Sequence, residues 1–435
     1  MKIKILFAIL LLPISFINYS CNKLPQVTTT VRKVTLPAFG NVDFELTHKQ
    51  FVAAGFNYDD LVEVIFHDYD GTKRDMSYEV AYVTNYNEVG YYCPCLCNYE
   101  NKSDHFDFAF GMSHLKENST RLIGKKVTIK MKKKKGYAKI RKLVNVSKKL
   151  TYEELSGDNL AFSNFRDVTM VGEISDTMIP KRLYRGSSPY NSHDNPEGRH
   201  DVVDKFLAYY NIQTEIALSG SDEQIAEQMK KRKEENPTSH TWNLYQDSIG
   251  VSEFDRKFYS KDLGTDYFTL RANSNEGEKG GDLTREIFTY ISRRCGGPAN
   301  PSPIYIHCNE GKDRTGFFVM VLEALAGIPL SDIVRDFMLT FKNYYNVSLV
   351  NDADKYNELA NLTIYRHVYS ILINDPADNL EKVQWYHFDA KKEVENILGD
   401  DPLKLQASAR NYLENTIHVS GSDVNNIQLF LINAQ

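Results

Sequence analysis

The sequence predicts an α/β domain with a helical C-terminal extension, preceded by a mostly-β domain that forms a small barrel or sandwich. Up to about residue 150, short strand-like runs follow one another with little helix between them. Beyond that point strand-like and helical runs alternate, which is typical of layered structures with parallel strands. Apolar residues fill 42% and charged residues 25% of the 435 positions, a composition typical of folded globular proteins. The net charge of −5 argues against a nucleic-acid partner.

The first segment, residues 1–21, has the features of a bacterial export signal. Two lysines open it, and an apolar run over 5–17 follows that is too short to span a bilayer. Ser20 before Cys21 resembles a lipobox, in which the cysteine is acylated, although Asn18 replaces the aliphatic residue usual there. We therefore expect an exported lipoprotein that is bound to the membrane through a lipid on Cys21. Plain secretion and an uncleaved anchor are the alternatives.

A β-rich accessory domain is predicted over 31–150, after a tether over 22–30 that lacks apolar periodicity. A short helix over 47–54 is expected to end at Gly55, and an Asp-Gly pair at 70–71 predicts a hairpin turn. The predicted strands cover 41–46, 61–67, 79–84, 90–97 and 127–131. We expect no catalytic residue in this domain.

Three cysteines alternate in the accessory domain. On a strand, Cys93, Cys95 and Cys97 share one face. Burial as small hydrophobic residues is the favoured interpretation. A metal site lacks a second ligand pair at zinc spacing, and a disulfide to Cys295 or to a partner is the remaining alternative. The sequence thus predicts no metal.

A basic segment follows the last predicted strand. Residues 125–149 contain twelve lysines or arginines and no acid, with four lysines in a row at 132–135. Such a run is typical of a solvated turn. Attraction to anionic lipid headgroups or to a polyanionic substrate is the alternative.

The second domain is predicted over 151–435, and it is helical from about residue 331. Strand-like runs at 212–218, 267–270 and 303–307 alternate with helical runs at 282–294 and 315–326. Ser331 is predicted to cap the first helix of the helical part, and short helices over 407–413 and 424–431 are expected near the chain end.

The polar loop after the strand at 303–307 is the most informative part of the chain. The helix that follows it is apolar nearly all round and has stop signals at Gly327 and Pro329, so we expect it to be buried. The loop therefore lies at the carboxyl end of a strand and at a helix N-terminus, where open α/β sheets bind ligands. Successive N–H groups from Asn309 to Arg314 can surround a single anion.

The residue types of this loop predict transfer of a phosphoryl group to sulfur and then to water. The N–H groups and the helix dipole favour the thiolate form of Cys308 near neutral pH. Arg314 can hold two phosphate oxygens in a planar fork. Gly311 permits the tight turn and Gly316 close helix packing, while Thr315 can offer its hydroxyl to the sulfur. This chemistry requires no cofactor.

The motif HCxxGKDRTG at 307–316 resembles the P-loop of cysteine-dependent protein tyrosine phosphatases, in particular a bacterial atypical branch. Three further segments are similar to the family, at 164–167 (NxRD), 183–188 (LYRSS with an inserted glycine) and 336–340. The resemblance implies a phosphatase fold from about residue 160, with helices over the pocket. It also implies a phosphocysteine intermediate. The implied substrates are phosphotyrosine or phosphoserine/threonine proteins, phosphoinositides or inositol phosphates.

The resemblance also implies roles for individual residues. The substrate phosphate would be bound by the loop positions Asn309, Glu310, Gly311, Lys312 and Gly316. The extra charge of the lysine suits substrates with several phosphates, whereas the glutamate would repel them if it faced the pocket. The histidine before the nucleophile is expected to order the loop.

The general acid is not settled by the sequence. The branch that the chain resembles uses the position of Asp313. The stretch 271–281, where another acid would lie, has no aspartate. Asp282 follows that stretch and is the alternative acid, although it also fits a helix N-cap. Three weaker candidates are Asp266, Glu276 and Glu278. The strand pattern departs from the family as well, since Ala-Leu-Ser at 217–219 replaces Asp-Leu-Arg.

Three functions follow from these features. The favoured one is an exported cysteine-dependent phosphatase. An extracytoplasmic inositol-polyphosphate phosphatase is the alternative enzyme, and an inactive phosphate-binding surface module is the alternative of another class. The presence of both Cys308 and Arg314 favours an enzyme. Cys295 either resolves an oxidised Cys308 or is a buried structural residue.

Overall fold

The computed structural model describes residues 24–36, 41–69, 71–98, 104–110, 119–146, 148–190, 198–210, 212, 214–218, 234, 278–295, 303–373, 382–399 and 401–432. Residues 1–23, which include the predicted export signal at 1–21, lie outside this part of the chain, as do the predicted strand at 267–270 and Asp70 of the predicted turn. In the described part, no helix combines the length and apolar character needed to cross a membrane.

Seven strands close into a barrel in the order β1-β2-β6-β5-β4-β3-β7. They are β1 (Gln26–Leu36), β2 (Asn41–Thr47), β3 (Leu61–Phe66), β4 (Met76–Val83), β5 (Pro94–Cys97), β6 (His105–Phe110) and β7 (Lys126–Lys133). Neighbours are antiparallel except β4 and β5, which are parallel. Aromatic residues such as Phe44, Tyr82 and Phe108 form the core.

The barrel begins earlier than the sequence suggested. β1 starts at Gln26, so residues 26–30 belong to the barrel, and the prediction of a tether there is wrong. Thr29 is buried at a position where alternation would favour an apolar residue, and this concealed the strand. β6, in which phenylalanines alternate with other residues, was also not predicted. The short helix α1 (His48–Ala53) is as expected, with Thr47 as its cap and Gly55 at φ +98°.

The three alternating cysteines are buried between the barrel and the start of the helix that follows β7. Cys93, Cys95 and Cys97 are buried and pack in one cluster with Tyr137, which precedes α2 (Ala138–Val144). Burial raises the pKa of the Cys93 and Cys95 thiols, so both are protonated at neutral pH. Among the described residues, no group of three or more His, Cys, Asp or Glu could hold a metal.

The basic segment at 125–149 runs through β7, a short turn and α2. The side chains at positions 132–134 are exposed, and Lys135 forms an ion pair with Asp59 at 3.2 Å. The prediction of a solvated turn is confirmed only for the short stretch between β7 and α2, and this turn joins a strand to a helix rather than two strands.

In the described residues of the second domain, four strands form a sheet in the order β10-β11-β9-β8. The strands are β8 (Arg166–Asp167), β9 (Leu183–Gly186), β10 (Thr214–Ala217) and β11 (Ile304–His307). β11 is parallel to both of its neighbours, with Ile304 opposite Leu183 and Thr214. The loop after β11 therefore emerges between two other strands at the carboxyl edge of the sheet.

Outside the sheet, most of the residues that the structure describes in the second domain are helical. The helices are α3 (Asn159–Ser163), α4 (Arg199–Tyr209), α5 (Glu278–Cys295), α6 (Asp313–Ala326), α7 (Leu330–Tyr345), α8 (Ala353–Leu362), α9 (Ile364–Leu372), α10 (Ala390–Leu398), α11 (Pro402–Asn411) and α12 (Gly421–Leu431). α6 is buried from Thr315 to its end and ends at Gly327, as predicted.

Two predicted helix caps are wrong. α7 starts at Leu330 after Pro329, so Ser331 lies inside the first turn. α5 starts at Glu278, so Asp282 lies inside the helix rather than at its cap. The helix continues through the Gly-Gly pair at 280–281. In proteins, packing of an amphipathic face can outweigh the low helix propensity of glycine.

Candidate active site

The nucleophile candidate lies where β11 turns into α6. Cys308 follows the last residue of the strand and is only 4% exposed. α6 begins at Asp313, so its first amides face the same turn. Both the sheet edge and the helix N-terminus thus meet at the cysteine, as the sequence predicted.

The loop carbonyls point away from the centre of the turn. The carbonyl oxygens of Asn309, Glu310 and Gly311 each accept a hydrogen bond from another segment. The donors are the Ser188 amide (3.1 Å), the side-chain amide of Asn164 (2.9 Å) and the Arg185 guanidinium (2.8 Å). In a trans peptide the N–H points opposite to the C=O. The amides that follow these carbonyls therefore face the other side of the loop, where they can bind an anion.

Two glycines are required by close contacts in this loop. Gly311 has φ +69°, and a Cβ there would lie 2.0 Å from the carbonyl oxygen of Gly186. A Cβ at Gly316 would lie 2.4 Å from the Phe337 ring. Any side chain at either position would push the loop or the helix off its support.

A buried ionic network contacts the loop through the carbonyl oxygen of Gly311. Arg166 donates to Asp336 Oδ1 at 2.7 Å, and Arg185 binds the other oxygen of the same carboxylate. Burial alone would raise the pKa of Asp336, but the two guanidinium groups outweigh it and lower this pKa. Arg185 is thus held in the orientation in which it binds the carbonyl of Gly311. The three segments that resemble family motifs meet in this network.

A second buried pair supports the residue before the nucleophile. His307 Nε2 lies 2.6 Å from Oε1 of Glu215, and both side chains are buried. Glu215 lies on β10 and was not singled out from the sequence. Its charged side chain in an otherwise buried strand was the available signal. Arg314 donates to the carbonyl oxygen of Leu218 at 2.7 Å, so the segment that lacks the family's Asp-Leu-Arg still supports the loop through its backbone.

The charge of Glu310 is neutralised by two lysines. Its carboxylate lies 2.6 Å from the Lys149 ammonium and 3.1 Å from that of Lys312, and it accepts a hydrogen bond from Tyr345 at 3.2 Å. Burial opposes ionisation of Glu310, but the two ammonium groups outweigh it and lower its pKa to about 2. Glu310 thus ties the loop to the segment that follows the barrel.

The Lys312 ammonium is bound within the protein. Besides Glu310, it lies 3.8 Å from Oδ2 of Asp313 and over the rings of Phe341 and Tyr345. Burial alone would lower the pKa of Lys312, but the Asp313 and Glu310 carboxylates outweigh it and raise this pKa. Its side chain is only 12% exposed. The lysine therefore packs within the loop and does not extend into solvent at the edge of the pocket.

The candidate general acid contacts the barrel. Oδ1 of Asp313 accepts a hydrogen bond from the hydroxyl of Tyr91, which lies between β4 and β5. From the sequence, no catalytic group is expected in the barrel domain, and Tyr91 was not predicted. No local signal could have found it, because the two residues are 222 positions apart.

The remaining site predictions have different outcomes. The Thr315 hydroxyl is buried and has no hydrogen-bond partner among the described residues. Asp282 and Cys295 belong to α5, but their side chains lie outside the described part. Glu278 is the first residue of that helix, and its side chain is likewise not described. The candidates Asp266, Glu276 and Cys21 lie outside the described residues.

The second domain matches a known protein family. A model of the tyrosine phosphatase family matches residues 159–433, which include the loop, the ionic network and the C-terminal helices. The chain belongs to the tyrosine phosphatase family. The phosphatase is a phosphoric monoester hydrolase, as the sequence predicted. Its barrel lies outside the matched residues.

The other comparisons add little to this assignment. No curated protein matches the phosphatase. One solved structure that it resembles in part is that of an uncharacterised conserved protein from Thermotoga maritima, at 16% identity and a TM-score of 0.20. The match covers 24% of the phosphatase and about a third (35%) of the other protein.

Proposed function

We propose that the phosphatase hydrolyses phosphotyrosine and related phosphate monoesters through a phosphocysteine intermediate. The observation that carries this proposal is the outward orientation of three successive loop carbonyls beside Cys308, since it turns the following amides toward one anion. The nucleophile, the amides and Arg314 then converge on one phosphate group.

The proposed reaction has two steps. The Cys308 thiolate attacks phosphorus and the ester P–O bond breaks, while Asp313 gives its proton to the leaving oxygen. Asp313 then takes a proton from water, whose oxygen attacks phosphorus and breaks the P–S bond to release phosphate. Arg314 and the loop amides stabilise the charge on the transferred group in both steps. The buried Thr315 hydroxyl stabilises the departing sulfur.

Substrates with a single phosphate group are favoured. The sequence left open a polyphosphate substrate attracted by Lys312. That ammonium already has two carboxylates near it and packs on aromatic rings. We therefore propose a phosphorylated protein as the substrate, with phosphoserine/threonine proteins and phosphoinositides as further candidates. Faster turnover of inositol hexakisphosphate than of a phosphotyrosine peptide would contradict this choice.

The decisive test of the mechanism is Cys308→Ser. We expect turnover of an aryl phosphate to fall by about 10³-fold or more, because the loop cannot make a hydroxyl a comparable nucleophile. Binding of phosphate or vanadate, measured by calorimetry, should persist because the loop amides and Arg314 remain. Turnover above a few percent of wild type would contradict the phosphocysteine mechanism. Phosphate binding without turnover in the wild type would identify an inactive binding module.

The proposal also places the phosphatase outside the cytoplasm, anchored by a lipid on Cys21. The location is supported by the signal-like segment at 1–21. The barrel begins at Gln26, five positions after Cys21, so the folded domains would lie close to the lipid. Cys21→Ala should move the enzyme from the membrane fraction to the soluble fraction. The mass of the mature N-terminal peptide would show the acyl chains directly.

A further inference from the structure

The segment between β4 and β5, residues 84–93, connects the barrel to the catalytic loop. Within it Tyr91 is buried, and its hydroxyl donates a hydrogen bond to Oδ1 of Asp313. The residues matched by the family begin at 159, so this hydroxyl is not part of the matched domain. The barrel therefore adds a contact to a residue of the P-loop.

Contacts other than the hydroxyl hold Tyr91 in place. Its backbone amide donates to the carbonyl oxygen of Leu362 in α8 at 2.8 Å, and its ring packs on His367 of α9 at 4.6 Å between centroids. Gly90 allows the close approach, since a Cβ there would lie 2.8 Å from the Leu362 side chain. The ring position is thus set by the backbone and by packing, and the hydroxyl can be removed without removing these contacts.

The contact acts on one oxygen of the Asp313 carboxyl group. Because Oδ1 accepts the hydrogen bond of Tyr91, Oδ2, which lies 3.8 Å from the Lys312 ammonium, is the oxygen left to deliver and take up the proton. Rotation of the carboxyl group about its terminal bond would break the bond to Tyr91. The tyrosine therefore restricts the orientation of the group that must face the leaving oxygen.

We propose that Tyr91 is a positioning residue for Asp313, and that the barrel is in this way a working part of the phosphatase site. The inference rests on the proposed function, in which Asp313 is the acid and then the base. It gives the accessory domain a catalytic role that the family match alone does not contain.

The test compares leaving groups in the full-length protein. Tyr91→Phe should lower kcat for phosphotyrosine peptide by about 10- to 100-fold, because a hydrogen bond to an ionisable carboxyl group is lost. The effect on an activated aryl phosphate should be much smaller, since its leaving group departs without a proton. KM should change little, because Tyr91 acts on the acid and not on the phosphate amides.

Tyr92→Phe is the matched control. Its hydroxyl is also buried in the same segment, but it pairs with His367 Nδ1 at 2.9 Å. We expect kcat for both substrates to stay within about twofold of wild type, compared at equal folded fraction. If Tyr92→Phe produced the same leaving-group-dependent loss as Tyr91→Phe, general loosening of the segment would explain both and the inference would be overturned.

A double-mutant cycle separates this inference from the proposed function. In the Asp313→Asn background, Tyr91→Phe should have no further effect on kcat. An equal loss in both backgrounds would show that Tyr91 does not act through Asp313, and would overturn the inference while leaving the acid assignment standing. If Asp313→Asn alone left kcat for the phosphotyrosine peptide unchanged, both the acid assignment and the role of Tyr91 would fail. The phosphocysteine step would still be decided by Cys308→Ser.

Discussion

At the scale of single residues, we expect Arg314 to have a role that positive charge alone cannot fill. Its guanidinium donates to the carbonyl oxygen of Leu218, which orients the planar fork beside the loop. Arg314→Lys keeps the charge but loses the two-point grip on phosphate oxygens. We expect kcat/KM for an aryl phosphate to fall by about 10²–10³-fold, nearly as far as in Arg314→Ala. Steady-state kinetics would check this, and full activity in the lysine variant would mean that the arginine is only a structural cation.

The identity of the acid is a second question at this scale. Asp313→Asn should slow phosphotyrosine hydrolysis by about 10²–10⁴-fold and an activated aryl phosphate far less. Asp282→Asn is the comparison, and we expect it to be mild because Asp282 lies inside α5 rather than in the catalytic turn. Both rates can be measured on the same two substrates. The reverse pattern would make Asp282 the acid and Asp313 an organiser of the loop.

At the scale of elements, the catalytic turn depends on close packing between two backbones. Gly311→Ala combines a positive φ with a clash against the backbone of Gly186, so neither chain can give way cheaply. We expect the free energy of unfolding to fall by about 2–4 kcal/mol, with loss of phosphate binding. Denaturant titration and calorimetry would measure the two effects.

Gly124 provides the matched control for that substitution. It also has a positive φ, of +79°, but a Cβ there would meet no atom within 4 Å. Gly124→Ala should therefore cost only the backbone strain, about 1–2 kcal/mol, and leave activity unchanged. Equal losses of stability in the two variants would show that the contact with Gly186 contributes nothing.

At the scale of the whole molecule, the ion pair between Glu310 and Lys149 joins the catalytic loop to the segment after the barrel. The pKa of Glu310 is lowered from 4.5 to about 2, so its stabilising contribution is complete above pH 4.5 and is lost as the pH falls toward 2. Glu310→Gln should lower the free energy of unfolding by up to about 3 kcal/mol at pH 7. The gap between variant and wild type should shrink as the pH is lowered from 4.5.

A neighbouring ion pair serves as the control for this pH dependence. Lys148 and Glu154 lie 2.5 Å apart, close to the 2.6 Å of the Glu310–Lys149 pair, but both are exposed to solvent. Glu154→Gln should change the unfolding free energy much less, because solvent screens the pair. Chemical unfolding of both variants between pH 3 and pH 7 would check the difference. A Glu310→Gln gap that stayed constant over this range would contradict the lowered pKa.

Much of the candidate site could be predicted from sequence because its signals are local. The strand, the turn and the buried helix around Cys308 are contiguous, and their spacing alone places a thiol at a helix N-terminus. The short helix with its Thr47 cap and Gly55 stop was predictable for the same reason. The start of the barrel was not, because Thr29 takes an inward position that an apolar residue usually fills.

The sequence by itself predicted the chemistry of the loop, and it determined the alternation of the second domain and the β character of the first. Only the tertiary structure decided which distant groups support that chemistry. Tyr91, Glu215 and Lys149 each contact a residue of the 307–313 stretch from a separate part of the chain. The physical reason is that hydrophobic periodicity and turn residues act over a few positions, whereas these contacts depend on how whole elements pack. A tyrosine in a barrel segment has no local feature that marks it, and it gains its role from the carboxyl group that packing brings to its hydroxyl.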